Sequence, residues 1–183
     1  DKTYDNYILA SNNTILKKFS DAVDKYRDAK LLPTPVTPLK NPIHDYYYAD
    51  KMAFVGINPS NQAEWQFALG RLNAALGSDL QGDLHVVAIG ASKVPNVDEY
   101  AGAVNAYWQD KALGRRALSK NGIGLVLGVQ DDTIIWARAF TGMPVGNEGL
   151  NLDLQENLKG VAFTPDIFGN PVGRQENGET VVT

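Results

Sequence analysis

The chain is predicted to be an α/β protein, a three-layer α/β/α sandwich around a mixed sheet of about four strands, with an additional N-terminal helix. Two observations carry this expectation. Apolar, β-branched runs alternate with segments of helical period, the order that produces parallel strands joined by crossover helices. Further on, residues 123–129 and 133–140 are two such runs separated only by Gln130-Asp131-Asp132, which adds one antiparallel pair. Strand–helix–strand units favour right-handed crossovers and a sheet covered on both faces.

Residues 3–30 suggest a helix, because Ile15, Phe19, Ala22 and Tyr26 recur at helical spacing opposite a charged face that includes Lys17, Asp21, Asp24 and Asp28. We therefore take residues 1–30 as an N-terminal helical unit. Pro33, Pro35 and Pro38 then break the pattern. Alternating prolines favour a stiff, extended connection, so residues 31–50 read as a linker, with Tyr46-Tyr47-Tyr48 expected to pack on the main domain. The domain itself spans residues 51–168. Residues 52–57 form a first short strand. Asn58-Pro59 is a helix start, with Asn as N-cap and Pro at the first helical position. Trp65, Leu69, Leu72 and Leu76 make the apolar stripe of that helix, and Gly77 is expected to end it. Residues 84–89 form the next strand. Asn96 and Glu99 have the spacing of a capping box, followed by Tyr100, Val104, Tyr107 and Trp108 on one helical face. Lys111, Arg115 and Arg116 are expected near the end of that helix, where cations complement its dipole. After the hairpin comes a glycine-rich loop at 142–149, a helix at 152–159 stopped by Gly160, and a last turn opened by Thr164-Pro165. Residues 169–183 hold few apolar side chains and read as a polar tail.

At 183 residues the chain is long enough for a substantial core. Its 44% hydrophobic and 21% charged content argues against wholesale disorder. A net charge of -4 leaves no basic footprint for nucleic acid. No run of apolar residues is long enough to span a membrane. The first residue is Asp1 rather than Met, as expected of a processed or shortened N-terminus. The chain has no cysteine, which removes disulfides, thiolate catalysis and Cys-ligated metals. That fits a cytosolic protein and equally an exported bacterial protein that avoids thiols.

The candidate chemistry is sparse. Gly122, Gly124 and Gly128 lie within a strand with no helix after them, so close packing or a bulge explains them better than a phosphate loop. Asp131-Asp132 is the metal candidate: hard cations such as Ca²⁺ or Mg²⁺ take several oxygen ligands, and adjacent carboxylates on a turn supply two. Asn121 before the hairpin, and Asn147 and Glu148 after it, are the further ligands the sequence offers. The competing reading is an ordinary polar turn. His44 and His85 are the only histidines, one in the linker and one in a strand, with no nucleophile elbow nearby. They do not suggest a catalytic triad, and core or surface positions are the default. Trp136 could sit in a surface groove if its strand lies at the sheet edge.

Several pieces together resemble the TPM domain family of thylakoid-lumen and bacterial membrane-associated proteins. They are Leu84-His-Val-Val-Ala-Ile89, residues 100–108, Lys120-Asn121-Gly122, the run 123–129, Asp131-Asp132, and residues 133–142. The resemblance covers roughly residues 50–160. It implies an α/β/α sandwich outside the cytoplasm, periplasmic or at the cell surface. It also implies a tether to a membrane through a segment before or after the domain, and a membrane protein or complex as partner. A few members are described as acid phosphatases with an acidic metal site. The family often carries Gly-Tyr-Gly-Leu-Glu after the second hairpin strand, whereas this chain has Phe140-Thr-Gly-Met-Pro144. Pro144 stands where a carboxylate is expected, and Glu148 follows four residues later. The expectation is thus an accessory or interaction domain without an evident catalytic machine; the alternative is a metal-dependent acid phosphatase acting at the hairpin turn.

Overall fold

A computed structural model describes residues 13–35, 50–142, 148–169, 173–176 and 179–182. Tyr46-Tyr47-Tyr48, His44, Pro144 and Asn147 lie outside these residues. The chain forms a four-stranded mixed sheet with helices on both faces. The elements in order are α1 (Asn13–Lys18), α2 (Ser20–Asp28), β1 (Met52–Val55), α3 (Gln62–Leu80), β2 (Asp83–Gly90), α4 (Val97–Trp108), β3 (Gly122–Gln130), β4 (Thr133–Thr141), α5 (Glu148–Leu158), β5 (Gly173–Glu176) and β6 (Glu179–Val182). Strand order is β1-β2-β3-β4, with β1, β2 and β3 parallel and β4 antiparallel to β3.

The two faces of the sheet are separate cores. On one, Val87, Ile89, Val126 and Phe140 meet Tyr100, Val104 and Trp108 of α4, and Val23 and Tyr26 of α2. On the other, Val86, Ala88, Leu125 and Leu127 meet Trp65 and Leu69 of α3, with Phe163 and Phe168 closing over Trp65. Both faces of β2 and β3 are dry, which is why those strands read as continuous apolar runs. This covering has a topological consequence. β1, β2 and β3 lie side by side in chain order, so two right-handed crossovers would place α3 and α4 on the same face. They lie on opposite faces, and the two crossovers therefore have opposite hands, against the usual rule.

The structure departs locally from the sequence expectations. The N-terminal helix is broken at Phe19, where α1 gives way to α2. Asn58 and Pro59 precede α3 by a turn, and Asn61 is its N-cap. Gly77 does not end α3, which continues to Leu80 and stops where Gln81 adopts a left-handed φ of 54°. Lys111 and Arg116 bound a separate 3₁₀ stretch after α4 rather than its last turn, because the helix already ends at Trp108. Asn96 does cap α4, accepting from the Glu99 N–H at 3.0 Å. The Glu99 carboxylate completes no capping box, since it accepts instead from Lys25 Nζ at 2.8 Å and the Tyr26 hydroxyl at 2.9 Å. α5 starts earlier than expected, at Glu148. The polar stretch after residue 169 contains the antiparallel pair β5–β6.

Two polar side chains on α3, seven residues apart and so on one face, dock the helix on the sheet margin. Gln66 accepts from the Met52 N–H at 3.2 Å and donates to the Met52 carbonyl at 2.7 Å. Asn73, buried, does the same for Leu84, at 2.7 and 2.9 Å. Each amide takes the place of a neighbouring strand's backbone: Gln66 on the outer edge of β1, Asn73 beside β2 just before β1 begins.

Candidate functional site

In open α/β sheets, ligands bind at the carboxyl ends of parallel strands, where successive connections leave for opposite faces. Here the opposite hands of the two crossovers create that divergence between β1 and β2. The segments that meet at this point are Gly56, Ile57 and Asn58 after β1, Gly90 at the end of β2, and the 3₁₀ turn Ala91–Lys93 that follows it. Gly56 has φ +68°, and a Cβ there would lie 3.2 Å from Cγ of Lys93, so the lysine stem rests directly on the glycine. Lys93 itself is exposed, and Asn58 accepts from Gln62 Nε2 at 2.6 Å.

The β3–β4 turn stands on the same carboxyl edge. Asp131 and Asp132 have φ of 50° and 56°, so both central residues are left-handed, as a two-residue type I′ hairpin requires. Their choice thus has a backbone reason, since Asp tolerates this region better than most residues. The turn is braced from outside. The Phe163 N–H donates to the Asp132 carbonyl at 2.8 Å, and the Ile134 N–H to the Val161 carbonyl at 2.9 Å. Both carboxylates are exposed.

The other expected metal ligands are elsewhere. Asn121 precedes β3, whose nine residues separate it from the turn by about 30 Å. Glu148 opens α5, which runs back along β4 so that its far end, not Glu148, approaches Ile134. Asp131 and Asp132 therefore do not share one coordination shell with Asn121 and Glu148. Among the described residues, no group of three or more His, Asp or Glu side chains is placed to hold a metal ion.

Two of the hairpin glycines are seats for aromatic rings, whereas Gly122 packs against Leu118. Gly124 faces Phe140 across the strands and Gly128 faces Trp136, and a Cβ at either would collide with the ring. Trp136 is half-buried over Gly128 rather than lying in an open groove. A bulge follows: Gly128 pairs with Trp136 but Val129 pairs with Ile134, leaving Ile135 extra and exposed. This insertion shifts the alternation of β4, so Ile134 enters the α3 core while Trp136 packs on the α4 side.

A polar cluster that the sequence did not single out lies at the opposite end of β2. Asp83 stands at the start of the strand with its side chain 13% exposed. One carboxylate oxygen accepts from Lys51 Nζ at 2.5 Å and the other from His85 Nε2 at 2.7 Å. Burial alone would raise the Asp83 pKa. The imidazole of His85 and the ammonium of Lys51 outweigh it and hold the carboxyl down at about 2. His85 is 4% exposed, and its Nδ1 lies 2.9 Å from the Pro35 carbonyl oxygen. Its ring sits edge-on to Trp108, whose Nε1–H donates to the Pro33 carbonyl at 2.8 Å. The Tyr100 hydroxyl donates to the Leu31 carbonyl at 2.6 Å, and burial pushes its pKa above the ordinary tyrosine value. Three side chains from α4 and β2 thus grip alternate carbonyls of the extended segment 31–35. The only sequence trace of this grip is the proline spacing, which sets that segment's extended shape.

On the α3 face, Phe67 is 69% exposed beside a cleft of about 390 Å³ that Ala63, Glu64, Arg71, Pro165 and Asp166 help to line. The Arg71 guanidinium lies 5.3 Å from the Phe67 ring centroid, holding the aromatic against solvent by cation–π attraction.

These features define an α/β/α domain with a divided carboxyl edge, an exposed diacidic turn and a proline-segment strap. Comparison with known proteins finds no matching family model, no curated relative and no similar solved structure.

Proposed function

We propose that the chain is an extracytoplasmic, membrane-tethered accessory domain that serves a membrane protein or complex by binding it. The observation that carries this reading is Phe67, a large aromatic presented to solvent on a rigid helix beside a cleft with charged flanks. Aromatic and Arg side chains presented together in this way are enriched at protein interfaces. The motifs of residues 84–142, which resemble those of TPM domains, support the location and the kind of partner. Among the described residues no helix is long and apolar enough to cross a membrane, so on this reading membrane contact comes through a segment outside the domain.

The test has two arms. A photo-crosslinking residue at position 67, in cells that express the chain natively, should capture an integral membrane protein, and the same residue at Lys111 should not. The purified protein should leave phosphate esters intact with or without Ca²⁺ and Mg²⁺. Metal-dependent hydrolysis that disappears in Asp131→Ala would overturn the proposal in favour of a phosphatase in which the turn carboxylates hold the cation.

A further inference from the structure

The grip on segment 31–35 depends on a proton. Pro35 offers His85 only a carbonyl oxygen, and Asp83 offers it only a carboxylate oxygen. Both partners are acceptors, so the ring satisfies both only when Nδ1 and Nε2 each carry a hydrogen. With one proton, a ring nitrogen must turn a lone pair toward an oxygen in a buried site, where a lost hydrogen bond is not replaced by water. The Asp83 carboxylate, which Lys51 also engages, keeps the stronger claim on the remaining proton. The bond given up is then the one to Pro35.

We propose that His85 is a proton-operated latch: the imidazolium fastens the 31–35 segment to the start of β2, and loss of one proton releases it there. The groups facing the latch are Asp83 from its own strand, Lys51 from the segment before β1 acting through Asp83, the Trp108 indole from α4, and the Pro35 carbonyl from the segment itself. Tyr100 and Trp108 hold the same segment through neutral groups that do not change over the mildly acid to mildly alkaline range. Release is therefore local. It frees the Pro35 end and with it loosens the adjoining Pro33 carbonyl on the Trp108 indole, while Leu31 stays pinned beside α2 by the Tyr100 hydroxyl.

Nuclear magnetic resonance on the full chain tests this directly. Long-range nitrogen–proton spectra, with His44→Gln assigning the signals, should show the His85 ring doubly protonated wherever the segment is held. Exchange of the Trp108 indole proton, which bonds to neighbouring Pro33, reports the hold. On raising the pH, that exchange should become about five- to ten-fold faster in the wild type than in His85→Asn at the same pH, the loss of roughly one hydrogen bond. His85→Asn keeps an N–H toward Pro35 and has no proton to lose, so its hold should not vary with pH. A neutral, singly protonated His85 ring alongside a protected Trp108 indole would overturn the proposal, as would a wild-type to variant ratio that is flat with pH. Should His85→Asn fail to fold, the wild-type ring spectrum decides alone.

Discussion

Asp83 shows how a single, largely buried carboxylate adds to the acid sensitivity of the molecule. Its pKa is held near 2 against an ordinary value of 3.8, despite burial. A group depressed in the folded state contributes stability above its unfolded pKa and loses it as the pH falls through the folded value. Acid titration followed by circular dichroism should therefore show a loss on the order of 2 kcal/mol between about pH 4 and pH 2. Asp83→Asn should lack that loss while costing about 3–5 kcal/mol at neutral pH, because it leaves His85 and Lys51 without their counter-ion. Nothing in the spacing of Asp83 and His85 marks them as partners of Lys51 and Pro35. The contact joins positions far apart in the chain, and such pairings leave no local periodicity to read.

Among the elements, the hairpin is the most legible and the β5–β6 pair the least, since residues 169–183 read as a polar tail. Residues 122–141 advertise themselves through apolar content and a polar two-residue break, because an antiparallel pair is a local structure. The sequence suggested a metal edge at Asp131-Asp132, and the positive φ of both residues supplies a backbone reason for the same pair. The double substitution Asp131→Asn with Asp132→Gly should stabilise the domain by about 1 kcal/mol by relieving left-handed strain, measured as a rise in Tm. Gly128→Ala tests the opposite sign. Its methyl group would enter the Trp136 ring, and we expect a loss of about 1–3 kcal/mol in urea unfolding. For α3 the apolar stripe was readable, whereas the roles of Gln66 and Asn73 were not. Their pairing with Met52 and Leu84 depends on where β1 begins, a fact of tertiary register.

At the scale of the whole molecule, the layers and the strand types follow from the alternation of patterns, but the arrangement of faces does not. Each strand–helix–strand unit favours a right-handed turn on its own, and only the choice to cover both faces with strands in simple order forces one unit the other way. The N-terminal unit adds a second surprise: α2 joins the α4 core, and the proline segment is held by side chains of the domain. The hairpin also has a consequence in time. With only Asp131-Asp132 to close, β3 and β4 can pair within microseconds, whereas each parallel pairing must first bring together strands some thirty residues apart. The antiparallel half of the sheet should therefore form first and template the parallel half. In chevron kinetics Val126→Ala should chiefly slow folding, whereas Met52→Ala should chiefly speed unfolding. The last strand pair in the sequence of the sheet would then be the first in its history, and β1 at the far margin the last to arrive.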